Sequence, residues 1–403
     1  MEFFIITIIK ALIILFIYVT VVAYIVWVER KVIAHVQVRM GPSRVGPHGL
    51  LQPLADLVKL IAKEGVLPSY ANRFFYLLAP FFAVFMSLIS ISVIPFGTQV
   101  KIGPYTTWLQ LTDLNIGLLL VLSISAMGVY GVALGGWSSN NKYALLGGLR
   151  SSAQMISYEL PMSLALASPL LILGTLSLRE IGNGQAGYNL GFFPKWTAIS
   201  GPFPQIFAFV IFMIAAFAET NRIPFDLPEA ENELVAGFHV EYSSMGFAAF
   251  STAEYANMVT VCSIATLLFL GGWQPLWPAA YGSDFVAPAI FLITGLVCFY
   301  HAINPARPFD RYTLPVVGLV FFGVAGLFLA PKVVPFLAPL NDVITPMFWF
   351  LAKTGFLLFT FIWVRATLPR FRYDQLMGFA WKGLFPAALL NLLITGFLVA
   401  LTS

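Results

Sequence analysis

Residues 3–28 read Phe3-Phe-Ile-Ile-Thr-Ile-Ile-Lys-Ala-Leu-Ile-Ile-Leu-Phe-Ile-Tyr-Val-Thr-Val-Val-Ala-Tyr-Ile-Val-Trp-Val28, and Glu29-Arg30-Lys31 follows at once. A helix needs about 20 apolar residues to cross a bilayer, and this run supplies them. No water is available inside the bilayer, so the backbone must satisfy itself as a helix. The run is too long for a signal-peptide core, has no basic leader, and ends in charge rather than a small-residue cleavage site, so it reads as a retained span. Comparable runs recur near 74–95, 115–136, 155–176, 203–219, 246–271, 285–302, 313–331, 344–364 and 382–402. The chain is 59% hydrophobic and 10% charged, whereas a soluble domain carries about a quarter charged residues. The sequence therefore specifies an all-α integral membrane protein with about ten transmembrane helices, and it excludes a soluble globular enzyme. Residues 1–403 read as a single transmembrane domain without an internal repeat, which argues against an inverted-repeat transporter.

The net charge of +4 reflects membrane orientation rather than a nucleic-acid footprint. Loops 29–73, 137–154, 219–243, 303–312 and 365–382 hold 16 of the 22 Lys and Arg, and the alternate loops hold Lys101, Arg179, Lys195 and Lys332. The positive-inside rule makes the first set cytoplasmic and puts both termini outside. Residues 50–64 lie in the first of these loops. Leu50, Leu54, Leu57, Val58 and Ile61 fall on one helical face and Asp56, Lys59 and Lys63 on the other. Pro53 suits a first turn and Gly65 a stop, so this segment reads as a cytoplasmic interfacial amphipathic helix. Packing against a partner protein is the alternative, and the two are compatible.

Six of the 18 acids crowd into residues 218–242: Glu219, Asp226, Glu229, Glu231, Glu233 and Glu241. The plain reading is a solvated loop with helix-capping acids. Phe225, Leu227, Leu234, Val235 and Phe238 interleave with them, however, so the loop can pack. Packed acids in a partly dry site couple to one another, as proton relay requires. Glu159, expected in the first turns of the fourth span, and Glu254, within the sixth, are ionisable groups at membrane depth, where such groups are candidates for function. Their alternative is capping or snorkelling. Lys10 and Lys353 also interrupt apolar runs; Lys353 reads as a relay member or the partner of an acid, and Lys10 as a snorkelling side chain. Cys262 and Cys298 lie in apolar runs without CxxC or Cys/His spacing, and His35, His48, His239 and His301 show no metal-ligand spacing, so no metal or iron–sulfur site is expected. Gly182 to Gly187 formally matches GxGxxG but reads as a Gly-rich turn, since no buried strand precedes it.

These motifs in this order resemble the H-type membrane subunit (subunit 1 in mitochondria) of respiratory complex I, the proton-translocating NADH–quinone oxidoreductase. The resemblance runs over Val28 to Lys31, Arg39 to Gly46, Gln52 to Asp56, Lys59 to Glu64 and Ser157 to Pro161. It is strongest over Ala218 to Asp226 and Glu233 to Gly237, and continues through Glu241-Tyr242, Ala253 to Met258, Arg365 to Asp374 and Trp381-Lys382. It covers roughly 1–272 and 344–403; the family core has eight transmembrane helices, so 273–343 reads as an insertion with two extra helices.

The resemblance implies a protein that binds no cofactor itself and is not catalytic alone. It implies a place in the cell inner membrane of a bacterium, among other membrane subunits and against peripheral-arm subunits that carry the quinone headgroup site and the iron–sulfur clusters. Quinone is the substrate of the whole complex. By the same resemblance, Glu159, Glu219, Glu229, Glu231 and Glu233 map to a proton path, with Glu254 added from its depth. Arg30, Asp56, Lys59, Arg222 and Asp226 map to the quinone chamber and its loop contacts. Ala34, Phe225 and Phe238 are expected to complete the chamber. Two rivals stand beside this reading. One is the homologous subunit of a membrane-bound hydrogenase or another complex-I-like dehydrogenase, against which the full acidic loop and the Arg39–Gly46 motif speak. The other is a stand-alone secondary transporter, which predicts repeated halves.

Overall fold

The computed structural model of the chain describes residues 2–102, 105–189, 191–201, 203–226, 237–303, 305 and 309–402. Its long helices are α1 (Glu2–Val36), α3 (Arg73–Ile89), α4 (Gly117–Ser138), α5 (Lys142–Leu173), α8 (Ser244–Phe269), α9 (Val286–Ile303), α10 (Asp310–Val333), α11 (Ala338–Thr367) and α12 (Tyr373–Thr402). Shorter ones are α2 (Gln52–Ala62), α6 (Leu178–Gly184) and α7 (Ile206–Glu219). Among the described residues nine helices are long and apolar enough to cross a membrane.

The expected tenth span is helical but short. At 14 residues, α7 is about 21 Å long, against a hydrocarbon core of about 30 Å. Its last residue, Glu219, therefore stops at depth, and the chain continues through Thr220, Asn221, Arg222, Phe225 and Asp226, all buried. Irregular backbone at membrane depth is tolerated only inside protein or along a cavity, and α5 supplies the partners here. Gln154 Nε2 donates to the Ala218 carbonyl at 2.8 Å and the Phe225 carbonyl at 2.8 Å. Asn221, at φ 49°, donates to Ser151 Oγ at 3.1 Å. Asn tolerates that left-handed conformation better than most residues.

Three spans begin or end elsewhere than hydropathy suggests, and one of them, α12, starts at Tyr373, nine residues before the apolar run at 382. α1 runs on past Val28 to Val36. α5 starts at Lys142, capped by the Asn141 side chain accepting from the Tyr143 N–H, so Glu159 lies mid-helix rather than in the first turns. The capping alternative for Glu159 is removed. Residues 182–184 end a helix, α6, rather than forming a turn; a Cβ on Gly182 would lie 2.6 Å from the Trp273 ring.

The helices alternate between two ends of the bundle. One end gathers the motif loops: Asn141 donates to Glu241 at 2.6 Å, and Ser244 Oγ donates to the Leu60 and Lys63 carbonyls at 2.8 Å each, closing the end of α2. The other end holds a hairpin, β1 (Gln99–Ile102) with β2 (Tyr105–Trp108), paired in antiparallel register Gln99 to Trp108. Both chain termini lie there: Lys10 donates to Thr107 Oγ1 at 2.9 Å, and Gln205 donates to Thr395 at 3.0 Å. α8 is the central post of the largest core cluster, which joins its own Phe269 with Phe212, Phe350 and Phe361 of neighbouring helices. Within segment 273–343, α9 and α10 form a hairpin at the rim. A Cβ on Gly295 would sit 3.2 Å from the Gly318 carbonyl, and the reciprocal distance is also 3.2 Å. Small residues let membrane helices approach this closely.

α2 matches the expected amphipathic helix. Leu54, Leu57, Val58 and Ile61 are exposed, while Asp56 turns to α1 and pairs with Arg30 at 2.6 Å. That pair is half-exposed and worth at most about 1 kcal/mol, so it aligns α2 more than it stabilises it.

Candidate functional site

Glu29 follows directly on the apolar run of α1 and is buried. It receives two guanidinium groups. Arg222, from the loop after α7, approaches at 3.7 Å, and Arg365, from the last turn of α11, pairs with Glu29 directly. Arg222 is buried too and lies 4.0 Å over the Tyr255 ring of α8. A cation over an aromatic face recovers part of its lost hydration. Arginine stays charged in proteins, and Glu29 and Glu254 both act on that charge here. Its Nε and Nη2 have no hydrogen-bond partner among the described residues. Asp226, four residues on, pairs with Arg370 at 3.1 Å.

Glu219 belongs to a second group, one turn before Arg222. The Ser125 hydroxyl of α4 donates to its Oε1, and its Oε2 is buried without a hydrogen bond among the described residues. Ser125 lies about 20 Å of helix from the end of α4 at Ser138 and about 12 Å from its start at Gly117, so this carboxyl is set back from both ends of α4. Glu159, half-buried on the neighbouring α5, is near enough for its charge to act on Glu219. A buried polar group left open calls for an explanation. Here there are three such atoms on two residues of one stretch of chain.

The structure thus brings together Glu219 with Glu159, and Arg222 with Glu254. Asp226 belongs with the Arg222 side of the site. Arg222 does not pair with Glu219; it faces Glu29 instead. Phe225 is buried against Tyr158 and Phe371, with ring centroids 5.6 Å away in each case. Phe238 lies apart from that group, packed on Phe250 at 5.2 Å. Arg30, Asp56 and Lys59 lie on the outer rim with α2. Ala34 is 1% exposed, so it faces protein packing rather than an open slot. Glu229, Glu231 and Glu233 lie outside the described residues.

Lys353 forms no ion pair with a described acid. Its Nζ donates to the carbonyls of Leu270, Gly272 and Gln274 at 2.6, 2.9 and 2.6 Å, and stands 4.2 Å over the Trp196 ring. It satisfies the orphan carbonyls just beyond α8 from another helix. Glu29, Arg365, Arg370, Ser125 and Tyr255 are not singled out by sequence pattern. Glu29, Tyr255, Arg365 and Arg370 stand in the motifs that carry the resemblance, and that is their only signal. Among the described residues there is no group of three or more His, Cys, Asp or Glu able to hold a metal ion.

The NADH dehydrogenase family model matches residues 9–396. A protein of Solibacter usitatus, named as the first of its NADH-quinone oxidoreductase H subunits, is 64% identical over 402 residues, spanning 100% of this chain and 98% of the relative. One of Koribacter versatilis, named as a second H subunit of the same enzyme, is 48% identical over 409 residues, with 99% and 98% covered. One of Geobacter metallireducens, likewise named as a second H subunit, is 42% identical over 412 residues, with 100% and 97% covered. These alignments run the whole length, segment 273–343 included.

Proposed function

This chain belongs to the NADH dehydrogenase family, and from that premise we propose that it is the H-type membrane subunit of a proton-translocating NADH–quinone oxidoreductase. In that role it walls the quinone chamber and carries the first acids of a charged path toward the pumping subunits. It contributes no redox centre and works only within the complex, in a bacterial inner membrane with both termini outside. The motif-bearing end, with α2 and loop 219–243, meets the peripheral arm. Segment 273–343 is an addition to an eight-helix core. The relatives' names favour this reading over a hydrogenase-type subunit.

The observation that carries the reading is the arrested helix α7. It leaves a carboxyl and a guanidinium buried at depth on adjacent turns, each with polar atoms left open. Reducing a quinone consumes two electrons and two protons, so the charge in a partly dry chamber changes as the reaction proceeds. At an effective dielectric of about 20, a unit charge about 8 Å away acts with roughly 2 kcal/mol. Arg222, held between Glu29 and the Tyr255 ring, receives that change. Glu219, on the preceding turn, answers by exchanging a proton, with Ser125 fixing one oxygen and Glu159 next in line. Glu254, beside Arg222, shares the charge balance, and Glu229, Glu231 and Glu233 supply protons from the loop.

Glu219→Gln tests this. It keeps shape and the Ser125 hydrogen bond but cannot carry a proton. The assembled variant complex should reduce quinone at least tenfold more slowly and pump correspondingly less, while NADH oxidation by artificial acceptors continues. Full turnover with full pumping in an assembled variant would sink the relay role.

A further inference from the structure

Beyond the catalytic reading, and independent of it, a basic concavity lies where α1 leaves the membrane. Lys31, His35, Arg39 and His48 line a hollow of about 540 Å3, with Asp310 as the one acid in the described wall. Two separate parts of the chain build it. α1 and the stretch after it give one side. The first turn of α10 gives the other, tied across by His48, 2.9 Å from Thr313 and 3.7 Å from Asp310. Segment 273–343 therefore completes the hollow.

The level of this hollow in the bilayer follows from the sequence. The apolar run of α1 ends at Val28, so Lys31 and His35 stand in the headgroup layer. Directly below them, at helical spacing, come Val28, Tyr24, Val21 and Ile17, with 37%, 39%, 40% and 50% of their surface exposed. Residues three and four apart share a helix face, so one stripe runs from the basic hollow down into the hydrocarbon. A cationic head region above an open apolar stripe matches one class of molecule in charge and in shape. Basic pockets between membrane helices hold anionic lipid headgroups.

We propose that this hollow is a binding site for an anionic phospholipid, with the phosphate among Lys31, His35, Arg39 and His48 and an acyl chain along the Val28–Ile17 stripe. A free phosphate ion would use the hollow but not the stripe. A neutral quinone headgroup would bring no charge to meet the basic wall.

The test uses the assembled complex in phosphatidylcholine vesicles containing a trace of phosphatidylglycerol with a photoactivatable acyl chain. Labelling should map to Ile17–Val28 of α1. It should fall about tenfold or more in a Lys31→Gln/Arg39→Gln variant, and persist in excess inorganic phosphate. Arg372→Gln, remote from the hollow, should label as the parent does. Equal labelling by the photoactivatable phosphatidylcholine would make this ordinary boundary lipid, and overturn the proposal. Loss of labelling to phosphate would make it a free-anion site and overturn it too. Labelling confined to another subunit would mean that a protein covers the hollow, with the same result. The comparison of the two lipids on the parent complex decides the matter even if the double variant fails to assemble.

Discussion

In α8, 78% of the apolar window is buried inside the protein, against 17% in each of α9 and α10. Yet α8 has the lowest mean hydropathy of the nine long helices. The two regions obey opposite rules. Lipid is as apolar as leucine, so a helix facing it gains nothing from hiding its side chains, and α9 and α10 pair through Gly295 and Gly318 instead. α8 is enclosed by protein and holds Glu254 and Tyr255 beside Arg222, Thr260 beside Tyr18 and Thr266 beside Thr354. Polarity in this protein marks the centre, and hydrophobicity marks the rim.

Breaking the centre should cost most. Glu29→Ala leaves Arg222 and Arg365 facing each other without the carboxylate that joins them, and breaking a buried charge pair costs about 3–5 kcal/mol. We expect little assembled complex on a native gel. Lys353→Met, where centre and rim meet, leaves three backbone carbonyls without their donor. The cost is about 3 kcal/mol, read as a lower apparent Tm of the purified complex with quinone turnover per assembled complex little changed. At the rim, Gly318→Leu drives a side chain into Phe299 and the Gly295 backbone, costing about 1–3 kcal/mol through overpacking. Limited proteolysis of the α9–α10 loop should accelerate while quinone reduction continues. If Gly318→Leu abolished turnover, the hairpin would belong to the working centre, and the contrast between centre and rim would fail. The smallest effect should come from Arg372→Ala. Its pair with Asp374 is about three-quarters exposed on both partners, so its loss should shift stability by less than about 0.5 kcal/mol.

Hydropathy locates the rim well and the centre poorly, for the same physical reason. α9 and α10 fall within a few residues of the apolar runs at 285–302 and 313–331, because lipid-facing helices must be apolar throughout. α5 begins 13 residues before the run at 155, since Gln154, Ser151 and their neighbours are helical but turned to protein. A cut at Val28 removes Glu29 from a helix that continues to Val36. Glu219 and Arg222 are legible as out-of-place charges, yet their true partners are not. Arg222 meets an acid 193 positions earlier in the chain, and only the fold pairs them. Ser125 gives no signal, because a serine in a membrane helix ordinarily bonds its own backbone, as Ser123 does to Leu119. Lys353 is visible as an anomaly, but carbonyl partners leave no trace in a sequence.

The arrest of α7 also has an electrical meaning. A full crossing of the membrane by one elementary charge is worth about 2.3 kcal/mol per 100 mV. Along α7, Glu219 lies about 21 Å from that helix's start on the terminal-bearing side. In the proposed orientation, a proton reaching Glu219 from the cytoplasm has therefore already traversed part of the transmembrane voltage. Protonation of this one carboxyl then becomes a voltage-sensitive step, and an energised membrane, negative inside, opposes the entry of that proton from the cytoplasm before any pumping subunit has moved.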